Sequence, residues 1–130
     1  MPATEVIMFQ ESDGTVPLIK WLDKLPEKVQ DKCLVKIQRL EEKGYELHRP
    51  EADSLRDGIH ELRVAFRGMQ YRMLYFFQGK QAVISHGLKK ERVVPSREID
   101  LAVERRARFE SDPMKYTCRE IDDEQEQKDS

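Results

Sequence analysis

Apolar positions change period along the chain, and the changes mark out the elements. Val6, Met8 and Phe9 suggest a short opening strand, after which Glu11-Ser12-Asp13-Gly14 reads as a turn and Thr15 as a helix cap. Leu18, Trp21, Leu22 and Leu25 then fall at helical spacing, with Pro17 tolerated in the first turn. Pro26 starts a second helix, in which Val29, Cys33, Ile37 and Leu40 form one apolar stripe and Gly44 supplies the stop. From Ile59 the period drops to two: Leu62, Val64 and Phe66 alternate with Glu61, Arg63, Ala65 and Arg67. Gly68 turns the chain into Met69–Gln78, apolar on both faces apart from Arg72, which predicts a central strand. Gln78-Gly79-Lys80 closes a hairpin into a third strand over residues 81–88. Pro95 opens a last helix with Ile99, Ala102, Val103 and Ala107 on one face, and Arg105, Arg106 and Arg108 directed to water or along a groove.

The expected fold is α+β: an N-terminal strand and two helices packed on an antiparallel β-meander, followed by a C-terminal helix. The helices should share one sheet face and leave the other open. Residues 1–112 are expected to form a single domain and residues 113–130 an acidic, disordered tail. In its last twelve positions only Ile121 is apolar, too little to offset the entropy of ordering the segment. A chain of 130 residues allows one domain, and no run approaches the roughly 18 apolar residues of a membrane span. The N-terminus lacks the charged start, apolar stretch and cleavage site of a signal peptide. Cys33 and Cys118 are far apart, which argues against a disulfide framework, and the apolar stripe around Cys33 makes it a core residue in preference to a nucleophile. A cytoplasmic protein with no membrane partner is the expectation.

Charge changes the picture once it is resolved by position. The net charge of −2 argues against a uniformly basic surface. Residues 56–97, however, carry 9 basic and 3 acidic side chains, while residues 119–130 carry 2 basic and 6 acidic. The basic excess therefore falls on the sheet.

Arg63 and Arg67 belong to the polar side of the first meander strand, Arg72 to the second, and His86, Lys89 and Lys90 to the end of the third, close enough to converge on one patch. Arginines hold phosphate bidentately, and Lys or His can move protons when neighbouring charges tune them, which is the set that metal-free RNA cleavage needs. Each residue also has a plainer reading. Tyr71 and Tyr75 suit a core, although Tyr75 lies nearer the loop and is the better candidate to touch a base. His86 suits a half-buried neutral side chain, and residues 89–92 suit a solvated loop. Arg72 is the hardest to dismiss, because a lone charge in an apolar run must reach water, a carboxylate or a ligand. His48 and His60 have no partners at metal-binding spacing, so neither a metal nor another cofactor is expected.

Three passages carry a resemblance: residues 55–63 (LRDGIHELR), residues 70–76 (QYRMLYF), and Ser85-His-Gly-Leu-Lys-Lys90 followed by Val94-Pro95 and Glu98-Ile99. In this order and spacing the chain resembles, over roughly residues 4–110, the phage-derived, HigB-like branch of the RelE/ParE toxin superfamily. The resemblance implies a RelE-like fold and the toxin of a type II toxin–antitoxin pair, one that cleaves mRNA on the ribosome. It implies a helix-turn-helix, HigA-like antitoxin as partner, with DNA reached only through that antitoxin. Carried over by position, Arg72 is the arginine at the scissile phosphate, Lys89 or Lys90 the basic group after the last strand, and His86 a general acid or base. Arg63, Arg67, Tyr75 and Arg92 are then RNA-binding. Val94 departs from the threonine often found before this proline. Relatives of the ParE type share the fold and inhibit DNA gyrase, and a non-toxic binding protein of the same fold is a third possibility.

Overall fold

A computed structural model describes residues 4–90 and 92–118. In chain order the elements are strand β1 (Glu5–Met8), helix α1 (Pro17–Leu22), helix α2 (Glu27–Lys43), strand β2 (Ala52–Ser54), strands β3 (Ile59–Phe66), β4 (Met69–Gln78) and β5 (Gln81–Lys89), and helix α3 (Ser96–Ser111). The result is an α+β domain with one five-stranded sheet in the order β1-β5-β4-β3-β2, antiparallel except where β1 lies parallel to β5. The β3–β4–β5 meander matches the sequence pattern. The β3–β4 turn is tight because Arg67 and Gly68 both take positive φ (50° and 80°), the left-handed pair a two-residue hairpin loop requires.

The period-two alternation in β3 and β4 gives the sheet two working faces. Leu62, Val64, Tyr71, Met73 and Tyr75 pack with Leu18, Val29, Cys33 and Leu40 under α1 and α2. Ile59, Leu74, Phe76 and Val83 pack instead with Ile99, Ala102 and Phe109 of α3. The helices thus do not share one face as the pattern suggests. The apolar run of β4 is buried on both sides because α3 covers part of the second face.

Several local details differ from the sequence reading. Val16, not Thr15, caps α1, and Pro17 occupies its first turn, while the Thr15 backbone N–H bonds to Asp13 Oδ1 in the preceding turn. β2 is too short to announce itself. It is tied in by Glu51, which accepts hydrogen bonds from Arg39 and Lys36 of α2 at 3.0 Å each, and these partners push its carboxyl down to about 2. The chain just past the expected boundary at residue 112 makes contacts of its own. Thr117 pairs with Phe9, the Cys118 N–H donates to the Met8 carbonyl, and the Tyr116 ring stacks on Phe9 at 5.6 Å, so residues 113–118 fold against β1. Of the tail expected to be disordered, residues 119–130 lie outside the described residues. Cys33 is fully buried and desolvation pushes its thiol up to about 12, as suits a core residue.

Candidate functional site: an arginine pair on the half-open sheet face

Arg63 and Arg72 are directly opposite one another across β3 and β4, on the face that also carries α3. Two like charges in that register repel, so the arrangement needs an anion between them. Glu61 provides it from the same face of β3. Arg72 Nη1 donates to Glu61 Oε1 at 2.6 Å, and Arg63 Nε lies 3.5 Å from the same oxygen. Arg63 also donates through Nη2 to Asp53 Oδ2 of β2 at 3.1 Å. Glu61 has its side chain 2% exposed and Arg72 11%, so the pair is held away from bulk water. This is the carboxylate that the lone charge in β4 requires. The pattern reading assigns Glu61 only to a polar strand face, and the signal that could have found it was Arg72's need for a counterion.

Toward the Arg67-Gly68 turn the cover ends. Arg63 and Gln70 are half-buried and Ala65 is exposed. β2 stops short of this part of β3, and a cleft of about 700 Å³ opens there between the strand and α2, lined by Arg63, Gln70, Lys32 and Lys36 among others. Lys90 and Arg92 are exposed at the end of β5 and beyond it, and the Lys90 N–H donates to the Gln70 carbonyl, which extends the ladder to the rim of the same face. The arrangement can hold a phosphate: fork-shaped arginine donors in a partly dry setting, with further cations at the edge.

The remaining expected site residues lie elsewhere. Lys89 opposes Tyr71, and its ammonium sits 5.7 Å from that ring on the α1/α2 side of the sheet, so the two adjacent lysines divide between faces. Arg67 caps the hairpin with its guanidinium 5.2 Å from the Phe66 ring. Tyr75 also points to the α1/α2 side, 1% exposed, and cannot share a patch with Arg63 and Arg72.

His86 shares the face of Arg72 but is turned away from solvent and bonded at both ring nitrogens. Nδ1 lies 2.7 Å from Ser85 Oγ and Nε2 lies 2.8 Å from Glu98 Oε1 of α3. A neutral ring that accepts from the serine hydroxyl at Nδ1 and donates to the carboxylate at Nε2 satisfies all three groups. Burial holds its pKa below the usual histidine value, the Glu98 carboxylate opposes that shift, and Arg105 reinforces it. These contacts tie α3 to β5 through the ring that the resemblance casts as a general acid or base. Its neighbour Gly87 does the equivalent on the opposite face, because a Cβ there would collide with the Trp21 ring of α1. The His-Gly pair is thus a two-sided packing device. Arg105, expected in water or along a groove, is buried, 3.5 Å from Glu11 Oε2 with its guanidinium over the Phe9 ring.

Among the described residues no group of three or more His, Cys, Asp or Glu side chains could hold a metal ion, and no helix is long and apolar enough to cross a membrane. A small α+β domain whose sheet is backed by a helical pair and bears arginines on the other face is consistent with the fold of RelE-like toxins. Residues 20–107 match the family described as phage derived protein Gp49-like (DUF891), and the chain belongs to that family, which is part of the RelE/HigB-like toxin group. No curated protein matches the chain.

Proposed function

We propose that the protein is the toxin of a type II toxin–antitoxin pair, an endoribonuclease that cuts mRNA on the ribosome and needs no metal. The observation that supports this best is the Arg63–Glu61–Arg72 set at the open half of the sheet in a chain of this family. In cleavage the 2′-hydroxyl loses its proton to solvent as its oxygen bonds to phosphorus, the bond to the 5′-oxygen breaks and that oxygen takes a proton from solvent, with negative charge gathering on the phosphorane. Arg63 and Arg72 would stabilise that charge, Glu61 would hold Arg72 in place, and Lys90 and Arg92, with Arg67 at the turn, would hold flanking phosphates. Lys89 belongs to the other face and is not assigned a step. With His86 committed to Ser85 and Glu98, rate enhancement rests on charge stabilisation and on in-line alignment, which the ribosome would impose on the message. A helix-turn-helix antitoxin would silence the toxin and carry any contact with DNA, and the pair would act in the cytoplasm.

The engagement of His86 favours a second reading, in which the arginine face binds without cutting, as in gyrase-inhibiting relatives of this fold. Induction of the chain in bacteria, with the 5′ ends of transcripts mapped, separates the two. Codon-phased cuts support the nuclease, whereas growth arrest with intact mRNA and altered plasmid supercoiling supports gyrase. Arg72→Ala is a poor control, since it strips a buried carboxylate of its closest partner. The paired variant Arg72→Met with Glu61→Leu keeps the volume, removes both charges, and should fold while cutting nothing. Undiminished cutting by that variant would exclude the site.

A further inference from the structure

The opposite face of the sheet carries a second concave feature that the arginine pair does not use. At its β2 end Tyr45, His60, Tyr75 and Phe77 border a cavity of about 510 Å³, rimmed by His48, Arg49, Asp53 and Ser54. Four rings meet there. Tyr45 stacks on Phe77 at 3.9 Å, His60 stacks on Tyr75 at 5.2 Å, and Phe77 sets its edge against both His60 and Tyr75. Tyr45 is 69% exposed, an unusual place for an aromatic side chain unless its flat face is used, and its hydroxyl donates to the Gly79 carbonyl, which fixes the ring's position.

The polar groups of the cavity are the second observation. The Tyr75 ring is almost wholly buried and its hydroxyl, which makes no hydrogen bond to the described residues, is the part left in touch with the cavity, while burial holds its pKa above the normal phenol value. The His60 ring nitrogens likewise make no such bond, and desolvation keeps that ring neutral near pH 7. A phenol hydroxyl and a neutral imidazole, both without protein partners and both bordering one aromatic-walled cavity, suit a flat ligand with hydrogen-bonding edges. Arg49 at the rim and Arg63 on the other face both donate to Asp53 Oδ2, at 3.0 and 3.1 Å. Asp53 therefore joins the cavity to the arginine site around the edge of β2.

We propose that this aromatic cavity is a nucleobase subsite, taking one base of a single-stranded RNA whose backbone passes Arg49 on its way to Arg63 and Arg72. Tyr45 and His60 supply stacking faces, and the Tyr75 hydroxyl bonds to the edge of the base, so that Tyr75 meets RNA from the side opposite to the arginines. The source of the base, an RNA strand, rests on the function proposed above. The ring chemistry of the cavity does not.

The test is equilibrium binding to the full-length protein, with four ribonucleoside 5′-monophosphates, ribose 5-phosphate, and short single-stranded RNA and DNA as probes. Saturable binding of at least one mononucleotide is expected, together with no binding of ribose 5-phosphate and tighter binding of the RNA oligomer than of DNA. Tyr45→Ala should weaken the mononucleotide by about tenfold, in line with the loss of one stacking partner. Tyr75→Phe, which keeps the ring and the core, should weaken it severalfold. The subsite is overturned if no mononucleotide binds, if ribose 5-phosphate binds equally well, or if both variants bind like the parent. Equal binding of RNA and DNA oligomers would overturn the assignment to RNA. Mononucleotide binding without transcript cleavage in cells would sink the nuclease alone, and cleavage that survives Tyr45→Ala without mononucleotide binding would sink the subsite alone.

Discussion

At the scale of single residues, buried polar groups decide what this sheet can do. Glu61 makes an otherwise repulsive cross-strand arginine pair tolerable, and it holds the two guanidinium groups in fixed positions where a phosphate can meet them. His86 shows the opposite outcome for a residue of catalytic type, because burial and two hydrogen bonds commit its ring to packing. That commitment has a pH signature. Burial depresses the folded pKa of His86 below the ordinary histidine value of 6.5, so the unfolded chain binds its proton first as pH falls. Stability from this group is therefore complete above pH 6.5 and declines as pH drops from there toward the depressed folded value. His60 is depressed in the same direction, so it adds to the decline. Denaturant unfolding between pH 8 and pH 5.5 should show stability falling, and His86→Gln should flatten the slope without removing the share due to His60. An unchanged slope in that variant would mean the ring is not held neutral.

At the scale of elements, α1 has only six residues and depends on its contact with the sheet for its place. That contact is Trp21 against Gly87, where there is no room for a methyl group. Gly87→Ala should destabilise the protein by about 1–3 kcal/mol through overpacking and shift Trp21 fluorescence, and Trp21→Leu in the same chain should recover part of the loss. A Gly87→Ala variant with parental stability and emission would count against the contact. The same pair of faces explains how much of the fold was legible in the sequence. α2 and the meander could be read because a helical stripe and a period-two alternation each persist over several turns or residues. β2 could not, since three residues, Ala52–Ser54, carry no period, and its attachment depends on Glu51 meeting Arg39 and Lys36 across a loop. The burial of Arg105 was hidden for a similar reason: a charge on a helix reads as solvated until Glu11, ninety-four positions earlier, is brought beside it. In the candidate site the arginines were legible by type and spacing. Which lysine faces them, and that His86 turns toward Glu98 of α3, depended on strand parity after the irregularity between Leu74 and Tyr75, which nothing in the local pattern announces.

At the scale of the whole molecule, the basic excess of residues 56–97 is smaller in effect than its count, because three of its nine cations are hydrogen-bonded to carboxylates and a fourth, Arg97, lies 3.7 Å from Glu98. Arg56 holds Asp57 and Asp100, Arg63 holds Asp53, and Arg72 holds Glu61. An arginine that trades a carboxylate for a phosphate exchanges one anion for another, whereas an unpaired cation meeting RNA releases condensed counterions into solution. A slope near −0.7 per phosphate on a single strand would give about −3.5 if Arg63, Arg67, Arg72, Lys90 and Arg92 all acted as unpaired cations, and about −2 if the paired Arg63 and Arg72 contribute little. Binding of a short single-stranded RNA, measured from low to physiological salt, should therefore show the shallower value. Replacing Glu61 and Arg72 together by Leu and Met should weaken binding while leaving the slope nearly unchanged, whereas Lys90→Ala should reduce the slope by about 0.7. A parental slope of about −3.5 would mean that the carboxylates dissociate from their arginines before RNA arrives, and the arginine pair would then be an open cationic surface instead of a site already set by Glu61.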